Sequence, residues 1–332
     1  MRAKRISLWL VIILNLVLKG EAQDLVYSQF YANPVYLNPA LAGSKLVPRV
    51  TLNYRNQWPG IRKGYVSYHA SWDKHYDALS GSLGVIINNE DEGDGVYKTF
   101  SASGIYCYGK NVTKNIELEA ALQAGYLNYS LNWDKLLMGD QMIDVNTGAL
   151  GPTHDYVPEK LKVGNVDFSA GLLAGYKSSY YLGVAVNHLT RPDISFYDNN
   201  TYRLNMKWTF HTGMLIDIID GLGETEINGL SISPNVVYVQ QGKFHQLNAG
   251  MYVNKYPFVM GLWLRHNFGN PDAIIVMLGF SHKQYKIGYS FDYTISRVTI
   301  KSGGAHEISL AWLFHSNKLS PKRFNQIISP DF

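Results

Sequence analysis

The chain has 332 residues, of which 13% are aromatic and only 17% charged, with 24 tyrosines, 30 glycines and a single cysteine. Its 30 Lys and Arg stand against 26 Asp and Glu, so there is no strongly basic field to argue for nucleic acid. One cysteine, Cys107, excludes an internal disulfide framework, and stability must come from packing and backbone pairing.

The first element is a leader. Arg2, Lys4 and Arg5 precede an apolar run from Ile6 to Leu18, and Gly20-Glu21-Ala22 sets small residues at −3 and −1 of a cut, which reads as a secretory signal peptide over residues 1–22. The run covers about thirteen residues and is broken by Asn15, short of the ~20 that a spanning helix needs. Removing it takes away four basic residues and one acidic residue, leaving 26 and 25, so the exported chain is near neutral. Export, abundant tyrosine and glycine, and no further long apolar run give the profile of a large β protein.

The next stretch, Ser28 to Gly43, is apolar yet not a clean strand. Asn33-Pro34 and Asn38-Pro39 repeat an Asn-Pro step, and each proline fixes φ and pushes the asparagine before it towards extended backbone. Phe30, Tyr31, Tyr36 and Leu37 lie between and beside these steps and need a cover. Residues 23–48 are therefore expected to form an N-terminal periplasmic or plug segment, packed into a barrel mouth or lumen.

From residue 49 onward, alternation dominates. Between Gln284 and Tyr293, Tyr285, Ile287, Tyr289, Phe291 and Tyr293 share one face, and Gln284, Lys286, Gly288, Ser290 and Asp292 the other. The same period recurs at 65–73, 116–126, 202–211 and 308–314. Segments of strand composition number about fourteen, near 49–57, 65–73, 81–88, 96–109, 116–128, 167–177, 180–188, 202–216, 225–240, 244–254, 257–267, 273–281, 284–294 and 306–315.

Connections after even-numbered segments are tight, and the long ones, 129–166 and 189–201, follow odd-numbered segments. Tyr and Trp cluster near the ends of apolar faces, at Tyr65, Trp72, Tyr202, Trp208, Tyr293 and Trp312. The expectation is an all-β fold, a transmembrane antiparallel up-and-down β-barrel of about 14 strands over residues 49–315 in the outer membrane, with both termini in the periplasm. An exported β-sandwich or propeller is the rival architecture. The tail, residues 316–332, follows the last strand and reads as a periplasmic contact or an unstructured extension.

Chemical motifs are lacking. There is no G-x-S-x-G, H-E-x-x-H, Walker A sequence or C-x-x-C, so the chain reads as non-enzymatic, with no cofactor. Asn88 to Gly95 is rich in oxygen ligands, but an EF-hand's closing Glu would fall on Thr99, so an acidic outer loop is the plainer reading. Glu117, Glu119, Arg203 and Lys207 fall on polar faces and are candidates for a wet or salt-bridged lumen wall.

Three motifs carry a resemblance: Q-D-L-V-Y-S-Q-F-Y-A-N-P-V-Y-L-N-P-A-L-A-G from Gln23, Y-R-N-Q-W-P from Tyr54, and Y-V-S-Y-H-A-S-W-D from Tyr65. With S-G-S-L-G-V from Ser80 and N-H-L-T-R-P from Asn187, the chain resembles the PorP/SprF family of outer-membrane proteins. That resemblance implies a barrel tied to the type IX secretion system of the Bacteroidota, contacting outer-membrane lipid and secretion components. The branch favoured is a partner that anchors or displays a secreted surface protein through the C-terminal domain of a large, gliding-type adhesin. Core secretion machinery with periplasmic partners and a diffusive porin-like channel are the alternatives. Phe30, Tyr31, Asn33, Pro34, Tyr36, Asn38, Pro39, Arg55 and Trp58 become the plug candidates. Asp144, Asp155, Tyr156, Arg191 and Asp193, on the two long loops, are the candidates for binding the partner.

Overall fold

The computed structural model describes residues 23–45, 47–61, 64–144, 149–177, 179–199, 201–219, 229–268, 270–295 and 303–314. The leader and the tail beyond Phe314 lie outside the described residues. So does most of the connection at 220–228.

Alternation builds a closed wall. The strands are β1 (Arg49–Gln57), β2 (Tyr65–Tyr76), β3 (Gly81–Glu92), β4 (Tyr97–Asn111), β5 (Ile116–Leu131), β6 (Lys162–Tyr176) and β7 (Tyr180–Asn187). They continue with β8 (Lys207–Met214, extended by Ile216–Ile219), β9 (Leu230–Gln241), β10 (Phe244–Lys255), β11 (Phe258–Asn267), β12 (Asn270–His282), β13 (Tyr285–Thr294) and β14 (Ala305–Leu313). Each pairs antiparallel with its neighbour in sequence, and β1 pairs with β14 from Arg49 opposite Leu313 to Gln57 opposite Ala305. That pairing closes a fourteen-stranded up-and-down barrel and leaves no sheet edge unpaired, as a bilayer requires of strands. A two-stranded turn, Met142–Asp144 with Ala149–Leu150, sits within the long β5–β6 loop.

The period of two sorts side chains by face. On β13, Tyr285, Ile287, Tyr289 and Tyr293 are exposed outward, while Lys286, Ser290 and Asp292 are buried inward. On β11, Phe258, Met260, Leu262 and Leu264 point out and Val259, Trp263 and Arg265 point in. The outward apolar face is the lipid face of a membrane barrel. Tyr65, Trp208 and Tyr293 lie outward near one rim, and Trp72 and Trp312 near the other. Tyr202 belongs to neither, because β8 begins only at Lys207.

The two mouths differ. At one, β2–β3, β4–β5, β6–β7, β10–β11 and β12–β13 meet in short turns. The opposite mouth carries the β5–β6 loop, 132–161, and the β7–β8 loop, 188–206. The longer loops are folded onto the wall: Ile194 and Leu204 are buried with Leu127 and Tyr129, and Tyr97 and Phe196 pack on this group. Lys160 also pairs with Asp198 across the two loops.

Inside runs the N-terminal segment. Both Asn-Pro steps start helical turns, Pro34–Leu37 and Pro39–Leu41, with the asparagine as N-cap and proline in the first turn. Asn38 is extended, at φ −155° and ψ 121°, and its Oδ1 accepts from the Ala40 amide at 2.9 Å. The expectation of extended asparagines holds at Asn38 but not at Asn33, which stands at φ −118° and ψ 61° with no side-chain cap, and the short helices are an addition to it. Gly43 ends the segment with φ +74°, and a side chain there would collide with Ser82.

The lumen holds an apolar core: Val237, Val239, Tyr252, Val259, Trp263, Ile275 and Met277 point inward and are buried together with Phe30 and Tyr31. The two ends of the described chain do not share a mouth. Asp24 meets residues at the long-loop rim, whereas Phe314 follows β14 out at the short-turn rim.

Candidate functional site

The site is the filled lumen and the loops above it. The segment runs from the long-loop mouth at Asp24 to the short-turn mouth at Gly43, with Tyr36 reaching back to donate to the Leu25 carbonyl at 2.6 Å, and it is held at four places.

At the top, Asp24 accepts from Gln241 Nε2 at 3.2 Å, and its amide donates to Gln241 Oε1 at 2.8 Å. Its Oδ2 lies 2.8 Å from His188 Nε2 and 3.1 Å from Lys207 Nζ. The other ring nitrogen of His188 meets Asp167 at 2.7 Å. Burial pushes the Asp24 carboxyl up, but the His188 and Lys207 charges override it and hold the group well below the usual carboxylate range. Burial alone would lower His188; the Asp24 charge and the Asp167 hydrogen bond outweigh it and raise the imidazole to about 9.

The second level is a knot of charge. Ser28 Oγ accepts from Arg55 at 2.7 Å and from Arg265 at 2.6 Å, and donates to Asp292 at 2.6 Å. Asp292 takes both guanidiniums at 2.8 Å. Glu307, fully buried, accepts from the amides of Ser28 and Gln29, from Asn53 and from Arg55. Gln29 completes the set, donating to the Glu307 carbonyl and accepting from Ser309. Two guanidiniums face Asp292 and Glu307, with the part-exposed Asp272 3.8 Å from Arg265, and this pairing offsets desolvation although Arg55 Nε, Asn53 Oδ1 and Asp292 Oδ1 are left without a hydrogen bond.

Below lies an aromatic seat. Phe30 packs on Trp263 with ring centroids 5.0 Å apart, and Tyr31 meets Tyr181, Tyr252 and Trp263 at 5.9, 6.2 and 6.4 Å. The hydroxyls of Tyr31 and Tyr181 are hydrogen bonded at 2.6 Å, and Tyr181 also donates to Asn235.

At the last level Asn38 donates to the carbonyls of Leu172 and Val184 and meets His211 at 3.0 Å. The wall is close enough that a Cβ on Gly171 would stand 2.1 Å from Asn38 Oδ1. Cys107 donates to Ala40, and Arg49 forks onto Asp73, which accepts the Gly43 amide at 2.6 Å.

The residues singled out from sequence fall as follows. Phe30, Tyr31, Asn33, Pro34, Asn38 and Pro39 are buried in the lumen, and Tyr36 is half-buried beneath Lys207, whose Nζ lies 4.8 Å from the ring centre. Arg55 reaches the segment from β1. Trp58 does not: it sits past the end of β1 at φ +59°, its ring against Tyr65 and its amide on the Gly304 carbonyl.

Nor do the four charged lumen candidates meet. Glu117 and Glu119 point inward at the short-turn end of β5, Lys207 points inward at the opposite rim, and Arg203 is exposed in the β7–β8 loop, where its backbone bridges to Asp193. Arg203 leaves the set because the strand expected from Tyr202 starts five residues later. Leu204, read as part of that strand's apolar face, instead packs beneath the loop.

Among the loop candidates, Asp155 and Tyr156 are exposed, Tyr156 at 88%. Arg191 is exposed at φ +47°. Asp193 accepts from the amides of Ser195 and Tyr202 and so shapes its own loop. The side chain of Asp144 lies outside the described residues. The acidic stretch from Asn88 is not a loop either: β3 runs to Glu92, with Asn88, Glu90 and Glu92 facing inward. Among the described residues no group of three or more His, Cys, Asp or Glu is placed to hold a metal ion.

Sequence reasoning missed Ser28, Gln29, Arg265, Asp292 and Glu307. A full charge on the inward register of a strand was the available signal, since nothing but a buried partner makes it tolerable.

Against known families, the description "Type IX secretion system membrane protein PorP/SprF" matches residues 19–312. No curated protein matches the chain. Similar solved structures include the KdgM porin, 9% identical over 80% of this chain and 99% of that one, with a TM-score of 0.34. A Pseudomonas aeruginosa FadL homologue is 11% identical over 81% of this chain and 90% of that one, at 0.39. BamA from Haemophilus ducreyi lacking POTRA domains 1–3 is 10% identical over 80% and 70%, at 0.38.

Proposed function

The chain belongs to the PorP/SprF family of type IX secretion system membrane proteins, and from that premise we propose that it is a plugged, non-enzymatic outer-membrane barrel that holds a secreted surface protein at its outer loops. The short-turn mouth faces the periplasm and the long-loop mouth the exterior. The cargo is the C-terminal domain of a large adhesin-like protein, delivered by the secretion machinery and bound along the loops 132–161 and 188–206. Tyr156, Asp155 and Arg191 offer the exposed contacts.

One observation carries the reading. A lumen threaded from rim to rim by its own segment, with a charge knot and an aromatic seat, supports an anchor rather than a diffusive pore. An open channel would leave its charges hydrated, whereas Arg55, Asp292 and Glu307 are buried and mutually paired.

Deleting residues 144–160 tests the loop assignment. The barrel is expected to reach the outer membrane while the surface protein is lost from the cells; undiminished display would refute the role of this loop. Single-channel recording tests the plug: the intact protein is expected to be silent and a chain lacking residues 23–44 to conduct. Conductance by the intact protein would favour the porin reading.

A further inference from the structure

The short turns β2–β3, β4–β5, β6–β7, β10–β11 and β12–β13 each bring a lysine to the same rim: Lys74, Lys110, Lys177, Lys255 and Lys283. Lys74, Lys110 and Lys255 stand on the outward register of β2, β4 and β10, two residues beyond the outward Trp72, Tyr108 and Val253. Lys177 and Lys283 directly follow the ends of β6 and β12. Tyrosines of the same outward face lie beneath two of them. The Lys74 Nζ is 4.6 Å from the centre of the Tyr76 ring, and the Lys177 Nζ is 5.3 Å from that of Tyr176.

None of the five lysines forms an ion pair with another described residue. The acids at this rim are few and turned elsewhere. Asp73 points inward onto Arg49, Asp77 lies 3.5 Å from His75, and Asp217 is exposed on the extension of β8. The opposite mouth is built differently: Lys98 pairs with Asp91 at 3.3 Å, Lys160 with Asp198, and Lys207 with Asp24 at 3.1 Å.

A lysine at the edge of an apolar belt lays its stem along the wall and holds its ammonium at the level of the lipid headgroups. Five such ammoniums without acid partners, spread from β2 to β12, set positive charge at the depth of the lipid phosphodiesters. We infer that the short-turn rim selects anionic phospholipids from the leaflet in which it stands, each lysine taking the phosphate of one lipid. The spread around the wall favours lipid over a protein partner, since a partner would cover one arc whereas lipid surrounds the whole barrel. The selection rests on the barrel lying in a membrane and not on the cargo role. In the orientation proposed above, the leaflet is the periplasmic one.

The test uses the barrel purified from outer membranes in detergent and reconstituted in nanodiscs of equal phosphatidylglycerol and phosphatidylethanolamine. Mass spectrometry of the intact protein then counts the lipids that stay bound on release from the disc. Phosphatidylglycerol is expected to be enriched about fivefold, the ratio equivalent to the ~1 kcal/mol that a lysine gains beside an anionic membrane surface. The enrichment should fall towards unity in about 0.5 M salt, where such exposed charges are screened. Replacing the five lysines together, as Lys74→Gln, Lys110→Gln, Lys177→Gln, Lys255→Gln and Lys283→Gln, is expected to remove it. Lys98→Gln with Lys160→Gln, at the other mouth, is expected to leave it. Equal retention of the two lipids by the wild type would overturn the inference and leave the ring to an acidic protein. Enrichment that ignores salt, or that survives the five substitutions, would overturn it as well. Inorganic phosphate added at constant ionic strength is expected not to compete, and displacement by it would replace the lipid with a free phosphate. The wild-type readouts need no variant to fold, and failure of the cargo role would leave them standing.

Discussion

Two walls of one lumen grip the same segment by opposite means. Around Ser28 and Gln29 the wall is built of Arg55, Asp292, Glu307 and Arg265, joined by directed hydrogen bonds between opposite charges. Around Phe30 and Tyr31 it is built of Trp263, Tyr252, Val259 and Met277, which offer chiefly area beside the directed Tyr31–Tyr181 hydroxyl pair. The strand β11 belongs to both, with Trp263 and Arg265 two residues apart on its inward face. Apolar burial supplies attraction but tolerates sliding. A charge knot adds little net stability over an apolar equivalent, yet penalises any register that leaves one partner alone. Adhesion and register are thus supplied by adjacent residues of one thread.

The largest effect is expected from unbalancing the knot. Arg55→Leu leaves Asp292 and Glu307 short of a counter-charge in a buried setting, a loss of about 3–5 kcal/mol. Denaturant unfolding in detergent would measure it, and the segment should become sensitive to protease while the wall remains. Phe30→Ala removes the main contact of the seat with Trp263 and should cost about 3 kcal/mol, the low end for such a truncation because a lone thread can shift to refill the space. If it loosens the thread as much as Arg55→Leu does, the division between register and adhesion is wrong. Gly171→Ala forces a Cβ onto Asn38 and should cost about 1–3 kcal/mol, read as a lower midpoint with no change in pairing.

The smallest effect is the pH dependence of the top clamp. His188 is raised to about 9, so its contribution is complete below about 6.5, its unfolded value, and fades as pH rises through 9. Asp24 is depressed, so its contribution is complete above its ordinary carboxylate value and fades only as pH falls towards its low folded value. Protection from hydrogen exchange at Asp24 to Tyr27, relative to the intrinsic rate at each pH, should be greatest from about pH 5 to 6.5 and fall near pH 9. In His188→Gln the alkaline step should vanish, with the knot at Ser28 unaffected.

The wall was legible because lipid on one side and a wet or filled interior on the other impose a period of two. Arg49–Gln57 and the alternation from Tyr285 to Tyr293 carry that contrast cleanly. It failed where contrast is absent. From Asn88 to Glu92 both faces are polar, with Asn88, Glu90 and Glu92 inward and Asn89 and Asp91 on the other face, and the strand reads as a loop. Tyr202 to Met206 shows the converse, an alternating sequence that packs as a loop because Leu204 finds Leu127 and Tyr129. The plug was foreshadowed by an apolar stretch that needed a cover, but its grip was not. Ser28 meets Asp292 across 264 positions and Glu307 across 279, and no local pattern encodes a partner at that range.

The thread also changes the parity of the chain. Fourteen strands alone would return the polypeptide to the face it started from, but the described chain makes one traverse through the lumen and fourteen in the wall, an odd number. Reporters at Gln23 and at Phe314 are therefore expected at opposite mouths of the barrel. An antibody or membrane-impermeant dye can then score, on intact cells, whether the thread is home.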